Sequence, residues 1–215
     1  MAQTHIFRKM LSRMGVTEDA FPDPRRAFIN IPRLETPRLI LRQLTVDDAA
    51  DMFDYASREE VTRYLLWDPH PSLAYTRRYL RDLQEKYRSG EYYDWGLELQ
   101  ETGKLIGTCG FARLDVDNRR GEIGYVIHPD YWFLGLAPEA ASCVMAFGFL
   151  KLRLHRIEAR YMVGNEASRR VMEKCGMSFE GIQRGALYVK NAFCDVGICA
   201  TVREDYFNPE SRAAH

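Results

Sequence analysis

What the sequence lacks narrows its class first. No apolar run approaches the roughly 20 residues of a membrane-spanning helix, and residues 1–15 carry no long apolar core of the secretory type. The expectation is a cytoplasmic protein without a membrane partner. Charge of one sign is also missing: 30 Lys and Arg balance 30 Asp and Glu, for a formal net charge of +0. Nucleic acid held directly by bulk charge is therefore not expected. There is no C-x-x-C pair, and the five cysteines (Cys109, Cys143, Cys175, Cys194 and Cys199) are odd in number and fall within predicted strands and helices. They read as reduced core thiols, and no metal site is expected of them. Internal repeats and low-complexity stretches are absent. What is present is a chain of 215 residues, 46% hydrophobic, long enough for one sizeable core.

The chain is organised around residues 119–140. Ile123, Tyr125 and Ile127 alternate with Glu122, Gly124, Val126 and His128, as the two faces of a strand do. Pro129 ends the strand, because proline removes a ladder donor and restricts the residue before it. Gly135 sits just before a helix start, and Pro138 suits a first helical turn. Ala137, Ala141, Val144, Met145, Gly148 and Leu152 recur at helical spacing through residues 138–150, so one face is buried. A strand, a loop with glycine and a helix N-terminus make an anion site fit for a diphosphate, since loop and first-turn N–H groups lack intrahelical partners. An ordinary strand–loop–helix connection uses the same pattern, and spacing alone does not separate the two.

Around this stretch, residues 34–44 alternate as a strand after Pro37, and helices follow at 46–56, 59–66 and 73–88. Residues 93–100 and 104–115 read as antiparallel strands joined at Glu101-Thr102-Gly103. A strand at 155–163 precedes a helix that Asn165 can cap and Gly176 can end. Strands at 179–189 and 193–206 close a hairpin around Lys190-Asn191. This order predicts an α+β, or mixed α/β, domain over residues 34–207, with an N-terminal arm at 1–33 and a polar tail at 208–215. In the arm Ile6, Phe7, Met10, Leu11 and Met14 are spaced for a short helix, and Pro22, Pro24 and Pro32 stiffen a connector. The arm is expected to pack on the body or on another subunit, as in a homodimer.

Residue identity adds a resemblance. Gly135-Leu136-Ala137, opened by Tyr131-Trp132 and closed by Pro138-Glu139-Ala140, resembles the acetyl-CoA loop of the GNAT acyltransferases. The nearest look is to the RimJ/RimL-like branch of ribosomal-protein N-acetyltransferases, whose loop usually reads Y-W-G-x-G-Y-A-x-E-A. Glu35-Thr36-Pro37-Arg38-Leu39-Ile40-Leu41-Arg42 resembles the opening strand of the same branch. The likeness spans roughly residues 34–207 and implies the GNAT fold, a mostly antiparallel twisted sheet of about seven strands flanked by helices. Phe133 stands where glycine is usual and Leu134 where a basic residue is common, so one phosphate-facing cation is missing.

The resemblance also implies a chemistry. The expected reaction is acetyl transfer from acetyl-CoA to a primary amine, on a small molecule or a protein N-terminus, by direct transfer in a ternary complex. A non-catalytic acyl-CoA sensor of the same shape is the alternative. Glu122 is the candidate base, because the family carries a glutamate in the matching strand; a solvated or paired glutamate is the plainer reading. Ser168 is the candidate partner of the leaving thiolate, since Asn165-x-x-Ser168 resembles the RimL-like branch, where the asparagine bonds the pantetheine arm. Simple helix capping by both residues is compatible with that. Many relatives carry a tyrosine acid where Met172 stands, and some carry a glutamate near the place of Leu187. The main chain of Val126, Ile127 and His128 is expected to pair with pantetheine amides as an added strand would. Leu134, Gly135, Leu136 and Ala137 would meet the diphosphate, and Arg169 or Arg170 the adenosine phosphate. Trp67, His70 and Tyr75 are candidates for the acceptor groove, with packing the commoner fate of aromatic residues. Asp195 reads as structural, His155, Tyr161 and Tyr188 as packed, and Glu98 as solvated.

Overall fold

The computed structural model describes residues 24–29 and 31–208. The short helix expected around Ile6 and Met14 lies outside them, as does the tail beyond Asn208. Three antiparallel strands form the middle of the sheet: β3 (Asp94–Leu99), β4 (Leu105–Asp115) and β5 (Arg120–Ile127). Their period-two alternation sorts residues to two faces. On one face Trp95, Cys109, Phe111 and Ile123 are buried. On the other, Asp94 stands beside Gly110, and Gly110 beside Gly124, in one cross-strand row.

Among the described residues the sheet has eight strands rather than about seven. Residues 34–44 are not one strand: Thr36 donates its N–H to the Leu39 carbonyl at 2.9 Å and turns the chain. The result is β1 (Leu34–Glu35) and β2 (Leu39–Arg42), which pair with each other. Beyond β5 lie β6 (Arg156–Met162), β7 (Ser178–Val189) and β8 (Ala192–Val202), and the order across the sheet is β1-β2-β3-β4-β5-β6-β8-β7. The β5–β6 pair is parallel, and every other neighbouring pair is antiparallel. The last strand ends earlier than the sequence suggests, and the chain turns into a helix at Arg203–Phe207.

Helices cover both faces. In chain order they are α1 (Pro24–Ile29), α2 (Ala49–Ala56), α3 (Glu59–Thr62), α4 (Leu73–Ser89), α5 (Leu136–Leu150), α6 (Glu166–Lys174) and α7 (Arg203–Phe207). Phe28 of α1, inside the predicted arm, is fully buried with its ring edge against Tyr93, Trp95 and Phe147. Helix α3 stops four residues short of its expected end. Helix α4 starts where the Ser72 hydroxyl accepts the Tyr75 N–H and ends at left-handed Gly90, φ 69°. Helix α5, expected to bury one face, is buried nearly all round, with Val144, Met145 and Phe149 sealed completely. Each such side chain contributes about 2 kcal/mol of burial. Gly148 makes that depth possible, because a Cβ there would lie 2.8 Å from both Ile157 Cδ1 and Phe111 Cζ.

Candidate active site

Parallel strands β5 and β6 pair from Arg120 beside Arg156 to Ile123 beside Ala159, and no further. Past Ile123 they splay. The His128 N–H donates to the Ile106 carbonyl at 2.7 Å. Strand alternation therefore turns the main-chain groups of His128, Val126 and Gly124 toward β4, and those of Tyr125 and Ile127 into the gap. The Trp132 indole N–H takes the Ile127 carbonyl at 2.6 Å, which leaves the Ile127 N–H facing the opening.

The gap belongs to a cleft of about 1360 Å³ that runs through to the α3–α4 side of the sheet. Glu122, Val126, Ile127, Gly135, Asn165 and Ser168 line it, and Leu136 and Ala137 border it. Two other predicted cofactor residues lie elsewhere. His128 is 0% exposed. Its Nδ1 accepts the Asp130 N–H at 3.2 Å, so the ring proton sits on Nε2 and is donated to Asp54 Oδ2 at 3.0 Å. Arg58, His128 and Lys104 together hold the Asp54 carboxyl well below the usual carboxylate range. His128 thus braces the turn at Pro129–Tyr131 and offers the cleft neither ring nor N–H. Leu134 points its side chain to solvent, and its carbonyl accepts from Arg38 Nη1 at 2.8 Å.

Arg38 was absent from the expected site. Its Nε donates to Glu139 Oε2 at 2.7 Å, its main-chain N–H donates to Glu139 Oε1 at 2.9 Å, and the Thr36 hydroxyl donates to the same oxygen at 2.6 Å. The guanidinium thereby ties the β1–β2 turn to the loop and first turn of α5. Gly135 caps α5 in the left-handed region, φ 78°, with Arg38 Nη2 3.5 Å from where a Cβ would be. Phe133 is also left-handed, φ 62°, a conformation that glycine adopts without strain. Its ring is 88% exposed at the cleft.

Glu122 is half-buried on the cleft wall. Burial raises its carboxyl above the ordinary value and the charge of Glu158 adds to that, while Arg160, 3.5 Å away, opposes it. It is thus both paired and cleft-facing. Across the gap, Asn165 Oδ1 accepts the Ser168 N–H at 3.2 Å and caps α6. Ser168 Oγ lies 3.0 Å from the Tyr125 hydroxyl, which also donates to the Ser168 carbonyl at 2.9 Å. Burial pushes the Tyr125 phenol up. Tyr125 of β5 thus places a phenol beside the Ser168 hydroxyl. Arg169 is occupied by Glu173 at 3.0 Å and lies over the Phe179 ring, whereas Arg170 and Lys174 line the cleft.

On the far side Trp67, His70 and Tyr75 do line the cleft, packed ring on ring: His70 lies 5.4 Å from Trp67 and 4.9 Å from Tyr75 between centroids. Leu187 faces the cleft as well. Asp195 Oδ1 accepts the Gly185 N–H at 2.8 Å within the hairpin, a structural bond. Glu98, expected to be solvated, pairs with Arg42 at 2.5 Å, and Arg42 also pairs with Asp48 at the N-terminus of α2. Tyr188, expected to be packed, is 61% exposed with its ring on Phe193.

Comparison with known proteins decides the family. A model described as "Acetyltransferase (GNAT) domain" matches residues 38–178, well over half of the chain. The chain belongs to the GNAT acetyltransferase family. The uncharacterised N-acetyltransferase YoaA of Bacillus subtilis is 39% identical over 172 residues, which are 80% of this chain and 97% of YoaA. A GNAT acetyltransferase from Bacillus anthracis superposes with a TM-score of 0.72 at 27% identity, covering 80% of this chain and 99% of its own. The RimL protein that acetylates ribosomal L7/L12, solved with coenzyme A, has a TM-score of 0.69 at 18% identity over 80% of this chain and 98% of its own. That last likeness is one of fold. The mostly antiparallel sheet with its flanking helices is the GNAT fold.

Proposed function

We propose that this GNAT enzyme moves the acetyl group of acetyl-CoA to a primary amine, a protein N-terminal amine included, by direct transfer with both substrates bound. One observation carries the reading: Glu122 and the Ser168–Tyr125 pair line one cleft from either side of the β5–β6 splay.

The residues fit coenzyme A. The outward main chain of Tyr125 and Ile127 suits an extended ligand with amide groups, as a sheet edge suits an added strand. The N-terminus of α5, opened by left-handed Gly135, suits a diphosphate. Arg170 and Lys174 add positive charge that Leu134 does not. Bound there, acetyl-CoA supplies an activated thioester. The amine nitrogen forms its bond to the acetyl carbon as the carbon–sulfur bond breaks. Glu122 accepts the proton the nitrogen loses, directly or through water, and burial raises its pKa toward neutral pH. Ser168, backed by Tyr125, stabilises the departing thiolate.

Initial rates of thiol release, measured with both substrates varied, test the order of events. Direct transfer gives intersecting reciprocal plots with small amines or N-terminal peptides. Parallel plots, which mark a covalent acetyl-enzyme, would contradict it.

A further inference from the structure

The part of the cleft remote from the splay has its own chemistry. Asp94 lines its floor. Gly110 leaves room for that carboxylate: a Cβ there would lie 2.2 Å from Asp94 Oδ1. The Tyr92 hydroxyl bonds to the carboxylate, and Tyr79 Oη lies 3.4 Å from Tyr92 Oη. Among the described residues no Lys, Arg or His forms an ion pair with Asp94. His70, whose ring is 5.5 Å from that of Tyr79, is pushed below its usual pKa by burial, which disfavours its charged form. The compartment therefore offers aromatic faces and one uncompensated negative charge, the two features that recognise an organic cation.

Its distance from the reaction decides which cation. Asp94 pairs with Gly110 and Gly110 with Gly124. At roughly 4.8 Å per strand, Asp94 lies about 10 Å from the β5 row, and the splay opens on the far side of β5. Glu122 is two residues from Gly124 on the same face. An amine at Glu122 is thus out of reach of Asp94.

We infer that the Asp94 compartment binds a second cationic group of the acceptor, so that the substrate is an aliphatic diamine with its reacting nitrogen at Glu122 and its other nitrogen, as ammonium, at Asp94. This rests on the acetyl-transfer reading above. Exposed Asp68 lies at the cleft rim, where Glu60 is paired with Arg58 and exposed Arg63 adds a positive charge.

The test compares the terminal diamine of pentane with pentylamine. Thiol release by the wild type should favour the diamine in kcat/KM by about tenfold or more, the value of a hydrogen-bonded charge. Asp94→Asn should collapse that ratio toward one. A wild-type preference for pentylamine, or an equal loss on both amines in the variant, overturns the inference while leaving acetyl transfer intact. Calorimetric titration of the diamine into coenzyme A-loaded protein reads binding without turnover. Tighter binding of the diamine than of pentylamine, lost in Asp94→Asn, supports the compartment even if neither amine is acetylated, an outcome that would tell against the acetyl-transfer reading alone. Equal binding of the two amines overturns it.

Discussion

Asp94 works against the fold as well as for the substrate. Burial pushes its carboxyl from 3.8 up to about 6, with the Tyr92 bond opposing. Between about pH 4 and pH 6 the native protein therefore binds more protons than the unfolded chain. Stability falls as pH rises through that window, and the whole penalty is present above it. Asp94→Asn should raise the unfolding free energy at neutral pH by about 1–3 kcal/mol and flatten the slope, as read in urea melts across that range. A variant less stable than the wild type at neutral pH would contradict this. Phe133 is a second residue under strain: replacement by glycine should stabilise the fold by about 1 kcal/mol, because the left-handed position no longer crowds a Cβ. An unchanged or lowered melting midpoint would show that the exposed ring makes up for the strain. The sequence offers Glu122, Ser168 and Asn165 through short local patterns. It offers no sign of Asp94, whose space is made by a glycine on the next strand, or of Tyr125, whose partner lies 43 residues away.

At the scale of elements, strand and helix periods in the sequence place most of the sheet and the helices flanking the cleft. They do not give main-chain direction. His128 shares a side-chain face with Glu122 and Val126, yet which edge its N–H serves depends on the register with β4. The turn at Thr36 is likewise hidden inside an apolar–polar alternation until the Leu39 carbonyl closes it. The clamp between that turn and α5 was half legible, since Arg38 and Glu139 both stand in the motifs that mark the family. It also carries a prediction. Arg38→Ala frees the Leu134 carbonyl and Glu139, so the loop before α5 loses its fixed shape. Coenzyme A affinity, measured by titration, should weaken about tenfold, and Arg38→Lys should restore little, because a lysine cannot span both partners with one fork. Unchanged affinity in Arg38→Ala would show that Gly135 alone shapes the site.

For the whole molecule, a sheet held together at its middle and parted at one pair of strands opens one cleft to both faces, where the proposed reaction brings its two substrates together. On the proposed reading Glu122 takes the amine proton there. Thiol release followed against pH, for the wild type and Glu122→Gln, tests it most directly. The wild-type kcat/KM should rise with pH through an acidic limb set above an ordinary glutamate's pKa. Glu122→Gln should lose that limb and fall about 100-fold or more. A variant that keeps both the rate and the limb would contradict it.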